Sequence, residues 1–351
     1  MDETTEEYGY GYGHRYSYGS QSPYGGAYPY GGECAYEPGG ETLAAIAALH
    51  GAAPDRVRPL VPAFPSGGAN HVFALGDRLV LRIPRSRRFL PGLAKEAAVI
   101  PAARAAGVRT PEVVAFDGTC SSVGVPYMVL ARAPGADLAA ADLPEEAADR
   151  VYHQVGRELA RLHRLSPASP EAPGLRSAVP EDDEGGDPRD LVARLLAEGW
   201  IDAGAARWLT GWFDRLSEHR PRDSPRVLTH GDIAPQNLVV SPRDASLTGI
   251  VDWGDAQWAD PAAEFAKIPP TGVPAMLAGY GREAGGGAAA ASGRAWAARV
   301  LWCHLTWALA RLRDPAPRPG ERHWTAPSAS RLLGLLRFYA AGAPGIWAGL
   351  T

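Results

Sequence analysis

The chain has 351 residues, 46% of them apolar, which is enough for a large core and, by length, for two lobes rather than one. A formal net charge of −4 excludes an overall basic field for holding nucleic acid and leaves small or neutral ligands open. The three cysteines, Cys34, Cys120 and Cys303, are odd in number and widely spaced, which argues against a disulfide framework or a zinc site and for a reducing cytoplasm.

Residues 1–40 carry nine of the thirteen tyrosines among glycines, as in "YGYGYGHRYSYGSQSPYGG". Such a segment cannot offset its ordering entropy, so a disordered tail is expected, and its acidic start lacks the apolar run of a secretory signal. From Glu41 a helix, "ETLAAIAALHG", leads into strands expected around 57–64, 70–76 and 78–83, separated by the turn signals "PSGGAN" and "GD". A helix carrying Lys95 and Glu96 should break or bend near Pro101, and strands follow near 112–116 and 126–132. Residues 41–133 are thus expected as a small mixed lobe, with "RAPGADL" as the hinge.

Residues 134–351 read as a larger, mostly helical lobe. Val151, Val155, Leu159 and Leu162 recur at spacings of three and four, and further helices are expected near 188–198, 203–218, 260–268, 293–313 and 329–341. The most apolar span, "AWAARVLWCHLTWALARL", carries Arg299, His304 and Arg311, so it reads as a buried helix and not a membrane anchor. Short strands are expected around 237–240 and 247–252.

The informative stretch is "VLTHGDIAPQNLVV", followed by "SPRDASLTGIVDWGDAQWADPAAEF". A hairpin of "NLVV" and "LTGIVD" would carry Asn237 at one end and Asp252 at the other, and bring both to one edge with Asp232. Two carboxylates and an amide oxygen are hard donors, suited to magnesium and a phosphate chain.

"HGDIAPQN" and "GIVDWGDAQWADP" together resemble the aminoglycoside phosphotransferases, more broadly the kinase-like small-molecule phosphotransferases that include macrolide kinases. The resemblance runs from about Val57 through the helical half and implies a two-lobed, protein-kinase-like α+β fold. It implies that Asp232 is the catalytic aspartate that takes the acceptor's proton, and that Asn237 and Asp252 are ligands of Mg2+, with ATP or GTP as phosphoryl donor. The turn at Ser66, Gly67, Gly68 and Asn70 would let backbone N–H groups approach the phosphates. In "LRIPR", Arg82 stands where such enzymes usually have lysine, as the macrolide-kinase branch tolerates, with Glu96 as its partner. Leu130, Ala131 and Ala133 would frame the purine. Of the 35 basic residues only Lys95 and Lys267 are lysines, neither of them on that strand.

The implied partner is a small hydroxylated molecule such as an antibiotic. Asp255, Glu264 and the "EDDEGGD" loop could attract a polycation, while Trp253, Trp258, Trp296, Trp302, Trp307 and Trp324 could wall a pocket for a weakly charged acceptor, although tryptophans at helical spacing usually belong to a core. Asp260-Pro261 is expected to cap a helix, and His230 to brace the loop. The rivals are a kinase for a metabolite such as an amino alcohol or sugar derivative, and a nucleotide-binding pseudokinase. A protein kinase is disfavoured by "HGD", "DWG" and the short segment before Asp260.

Overall fold

The structure is a computed structural model that describes residues 36–350 except 61–68, 170–173, 183–185, 220–224, 242, 285–292 and 314–327. Ser66, Gly67, Gly68, Trp324 and most of the expected tail therefore lie outside the described residues. Tyr36, inside that tail, donates its backbone N–H to the Arg85 carbonyl at 2.8 Å.

The N-terminal part contains α1 (Gly40–Leu49), β1 (Val57–Pro59), β2 (Asn70–Leu75), β3 (Leu79–Pro84), α2 (Leu90–Ala105), β4 (Val113–Asp117) and β5 (Tyr127–Ala131). The strands form one antiparallel sheet in the order β1-β2-β3-β5-β4. Alternation divides its faces. Leu81, Ile83, Tyr127 and Val129 pack with Ile46 of α1, whereas Met128 and Leu130 join Leu93, Val99 and Ile100 of α2 in the main core. Arg82 stands opposite Met128 and so shares the α2 face, a polar residue among apolar ones. The helix α2 continues past Pro101 to Ala105, where a break or bend was expected; Pro101 is exposed.

The rest of the chain contains β6 (Ala136–Asp137), α3 (Glu145–Leu162), α4 (Leu175–Ala178), α5 (Pro188–Ala197), α6 (Ala203–Ser217), β7 (Val227–Thr229), β8 (Leu238–Ser241), β9 (Ser246–Ile250), β10 (Gln257–Ala259), α7 (Val273–Glu283), α8 (Gly293–Ala310) and α9 (Ser328–Ala340). The expected hairpin is β8–β9, with β6 added at its edge, and β7 pairs with β10. Val151, Val155, Leu159 and Leu162 of α3 are fully buried, as their spacing requires. The helix expected over 260–268 is only a short 3-10 turn, Pro261–Phe265, capped by the Asp260 side chain, which accepts from Ala262 N at 2.8 Å.

The helix α7 was not legible because two glycines lower its propensity. Packing overrides that preference. A Cβ on Gly279 would lie 1.9 Å from the His153 carbonyl oxygen, and one on Gly156 of α3 the same distance from that of Met276. The two helices approach through these glycines. Among the described residues no helix is long and apolar enough to cross a membrane.

Candidate active site

The loop after β7 turns at Gly231, whose φ of +79° favours glycine and whose Cβ, if present, would meet the Asp255 carbonyl oxygen at 2.1 Å. Its outer backbone is clamped by Glu264, which accepts from His230 N at 2.9 Å and from Gly231 N at 2.8 Å. Burial pushes the Glu264 carboxyl up to about 7, with the two N–H bonds and Lys267 pulling the other way. His230 is fully buried and braces the same turn. Its Nε2 donates to the Val251 carbonyl at 3.0 Å, and its Nδ1 accepts from Asp232 N at 3.2 Å, which assigns the neutral tautomer. Burial lowers its pKa to about 4.

This turn delivers Asp232 with both carboxylate oxygens engaged. Asn237 Nδ2 donates to Oδ2 at 2.7 Å and to the Asp232 carbonyl at 2.8 Å. Lys267 Nζ donates to Oδ1 at 2.6 Å and to the Gly231 carbonyl at 2.9 Å. Burial would raise the Asp232 pKa, but the charge and hydrogen bond of Lys267, helped by His230 and Asn237, outweigh it and hold the group below the usual carboxylate value. Asp232 is therefore anionic at neutral pH.

Asn237 and Asp252 are brought together by the base of the β8–β9 hairpin, where Leu238 faces Ile250 and Val251 N donates to the Asn237 carbonyl at 3.0 Å. Asp252 has φ +70°, a left-handed conformation rare outside glycine, and its side chain is half exposed at 52%. Arg82 reaches it across the cleft: Nη2 donates to Asp252 Oδ1 at 2.9 Å and Nη1 to Glu96 Oε2 at 2.5 Å. Burial alone would lower the Arg82 pKa, yet the two carboxylates raise it. Glu96 is fully buried; burial raises it to about 7 against the opposing pull of Arg82.

The donor set fits magnesium. Asn237 has its Nδ2 committed and its Oδ1 left as a hard oxygen donor, and Asp252 offers an accessible carboxylate. Magnesium is bound by one or two carboxylates together with phosphates and water, so a sparse protein set suffices. Among the described residues no cluster of three or more His, Cys, Asp and Glu is poised to hold a metal by itself.

On β5, Leu130 is buried in the main core between Val80 and Val113 of the flanking strands. The Ala131 N–H is spent on the Glu112 carbonyl at 2.8 Å, and Ala133 follows as the chain leaves the sheet, its Cβ against Gly249. Asn70 opens β2 opposite Pro84. The tryptophans named for an acceptor pocket mainly build core: Trp253 and Trp258 are fully buried, Trp302 nearly so, and Trp296 and Trp307 partly. Sequence reasoning missed the clamp by Glu264 and the pairing of Lys267 with Asp232. The only available signal was the rarity of lysine, since both lysines, Lys95 and Lys267, flank Asp255 in this cleft.

A five-stranded antiparallel sheet set against a mostly helical body, with the polar cluster between them, is the two-lobed architecture of kinase-like phosphotransferases. The sequence matches the phosphotransferase enzyme family over residues 61–329, and the chain belongs to that family. It is 28% identical over 211 residues to the viomycin phosphotransferase of Streptomyces vinaceus, covering 57% of this chain and 70% of that one. It is 27% identical over 215 residues to acyl-CoA dehydrogenase family member 10 of Mus musculus, covering 58% of this chain but only 19% of that protein. The GDP complex of wild-type aminoglycoside 2'-phosphotransferase-IIIa superposes with a TM-score of 0.58 at 21% identity, covering 81% of this chain and 92% of that one. That likeness shows the fold alone.

Proposed function

We propose that the protein transfers the γ-phosphoryl group of Mg-ATP or Mg-GTP to a hydroxyl of a small, antibiotic-like molecule. The observation that carries this reading is Asp232, held ionised and aimed by Lys267 and Asn237 beside the cluster of Arg82, Glu96 and Asp252. Phosphoryl transfer asks for positioning and charge neutralisation more than for covalent help. Asp232 would orient the acceptor hydroxyl and take its proton as the oxygen attacks. Asn237 Oδ1 and Asp252 would hold magnesium, which when bound neutralises the phosphate oxygens. Arg82 would meet the donor's phosphates, held in place by Glu96, and Leu130, Ala131 and Ala133 would frame its base.

The same reading takes residues 41–133 as the nucleotide-binding lobe, residues 134–351 as the catalytic and acceptor lobe, and the cytoplasm as the place of work. Its antibiotic-like acceptor is supported by the similarity to viomycin phosphotransferase. The test is mass spectrometry of hydroxylated antibiotics, amino alcohols and sugars after incubation with Mg-ATP or Mg-GTP. A phosphate gained by an antibiotic is expected; one gained only by an amino alcohol or sugar makes the protein a metabolite kinase, and nucleotide binding without transfer to any acceptor makes it a pseudokinase.

A further inference from the structure

In this chain 33 of the 35 basic residues are arginine, and the composition alone would make any required cation an arginine. Lys267 departs from that pattern at the group proposed as the base. Its ammonium chelates one carboxylate oxygen and one main-chain carbonyl, at 2.6 and 2.9 Å, a compact tetrahedral geometry that the long planar fork of arginine does not reproduce. Lys267 and Asp232 are both largely buried, with side-chain exposures of 18% and 22%, so their charges are poorly screened.

The neighbouring carboxylates are also committed. Glu264 accepts from the loop backbone, and Asp260 is paired with Arg299. Of the exposed carboxylates near Asp232, Asp252 is bound by Arg82, and Asp255 has Lys267 and Lys95 as its nearby opposite charges. A reacting hydroxyl must lie within hydrogen-bond reach of Asp232. An ammonium on the adjacent carbon of the acceptor would then stand roughly 5 Å from Lys267 Nζ, within the range of strong like-charge repulsion at a poorly hydrated site. It would also find its natural partner, Asp232 Oδ1, already taken.

We propose that Lys267 is a specificity-determining residue of the acceptor site: it supplies from the protein the cation that balances Asp232, and so selects an acceptor with no ammonium group beside the reacting hydroxyl. This rests on the phosphotransferase reading and narrows its substrate class to alcohols whose reacting hydroxyl is not flanked by an ammonium. Aminoglycoside hydroxyls next to an ammonium are excluded.

The experiment is a double cycle on the full chain loaded with magnesium and a non-hydrolysable nucleotide. Calorimetry measures the affinity of kanamycin and of its fully N-acetylated form, which keeps the hydroxyls and loses the charges, for the wild type, Lys267→Gln and Lys267→Arg. The cycle cancels the bulk of the acetyl groups. Lys267→Gln is expected to shift the affinity ratio toward kanamycin by about tenfold or more, and Lys267→Arg to leave the ratio near that of the wild type. An unchanged ratio in Lys267→Gln, including no detectable kanamycin binding to either protein, overturns the proposal. If Lys267→Gln does not fold, the wild type and Lys267→Arg decide it: tight kanamycin binding that equals or exceeds that of the acetylated form in both overturns it, and preference for the acetylated form in both supports it. Failure of the phosphotransferase reading is seen separately, as nucleotide that is bound but never turned over.

Discussion

Two clusters of cation and carboxylate lie in the cleft, and they are assembled in opposite ways. Arg82 and Glu96 lie 14 residues apart, but Asp252 is 170 residues from Arg82, and the three join a strand and a helix of the sheet lobe to the end of the β8–β9 hairpin. Lys267, Asp232 and Asn237 lie within 35 residues of one another on the helical side, bound to the same short loop. The first cluster forms only when the two halves of the molecule meet. The second is fixed within one half, with Glu264 and His230 bracing its backbone. On the proposed function, the first cluster is a nucleotide end that depends on lobe approach and the second a base that is already set.

The largest effect is expected at the fixed cluster. Asp232→Asn should lower the transfer rate by about 10²–10⁴-fold while nucleotide affinity holds, the usual range for a positioned acid or base. Steady-state kinetics beside nucleotide titration measures both, and near-normal turnover would remove Asp232 from its role.

The brace of that cluster should register acid. His230 has a folded-state pKa of about 4 against an ordinary 6.5, so the unfolded chain takes up a proton first as pH falls. Its contribution is complete above pH 6.5 and is lost on the way down to about 4, on the order of 1–3 kcal/mol. Chemical denaturation across that window should show a shallower slope in His230→Gln than in the wild type. Equal slopes would mean that His230 titrates alike in the folded and the unfolded chain.

The cross-cleft cluster should be more tolerant. Arg82→Lys keeps the charge but loses the fork that spans Glu96 and Asp252, and is expected to raise the nucleotide KM by about tenfold, with the acceptor KM unchanged. A change confined to the acceptor KM would erase the distinction between the two ends.

How much of this was legible follows the same division. The hairpin that carries Asn237 and Asp252 at its base could be read from two apolar runs, while the roles proposed for Asp232, Asn237 and Asp252 came from the resemblance of two short motifs to the phosphotransferases. The pair Arg82 and Glu96 was legible only through the resemblance, which sets a cation on that strand and an acid on the next helix, and the structure joins the two. Lys267 and Glu264 were not, because their partners are set by a turn that read as an ordinary helix and that the structure makes a short 3-10 segment. The helix α7 hid for a related reason: the glycines that weaken its local signal are what allow its packing on α3. Residues whose role depends on tertiary approach leave little trace in local pattern.

The central claim is that Asn237, Asp252 and Asp232 converge on one phosphate-handling centre. A crystal structure with magnesium and a non-hydrolysable ATP or GTP analogue tests it most directly. The account predicts a metal ion liganded by Asn237 Oδ1, Asp252 and phosphate oxygens, with the terminal phosphate facing Asp232. Phosphates seated away from all three residues, or a metal held by neither Asn237 nor Asp252, would contradict it.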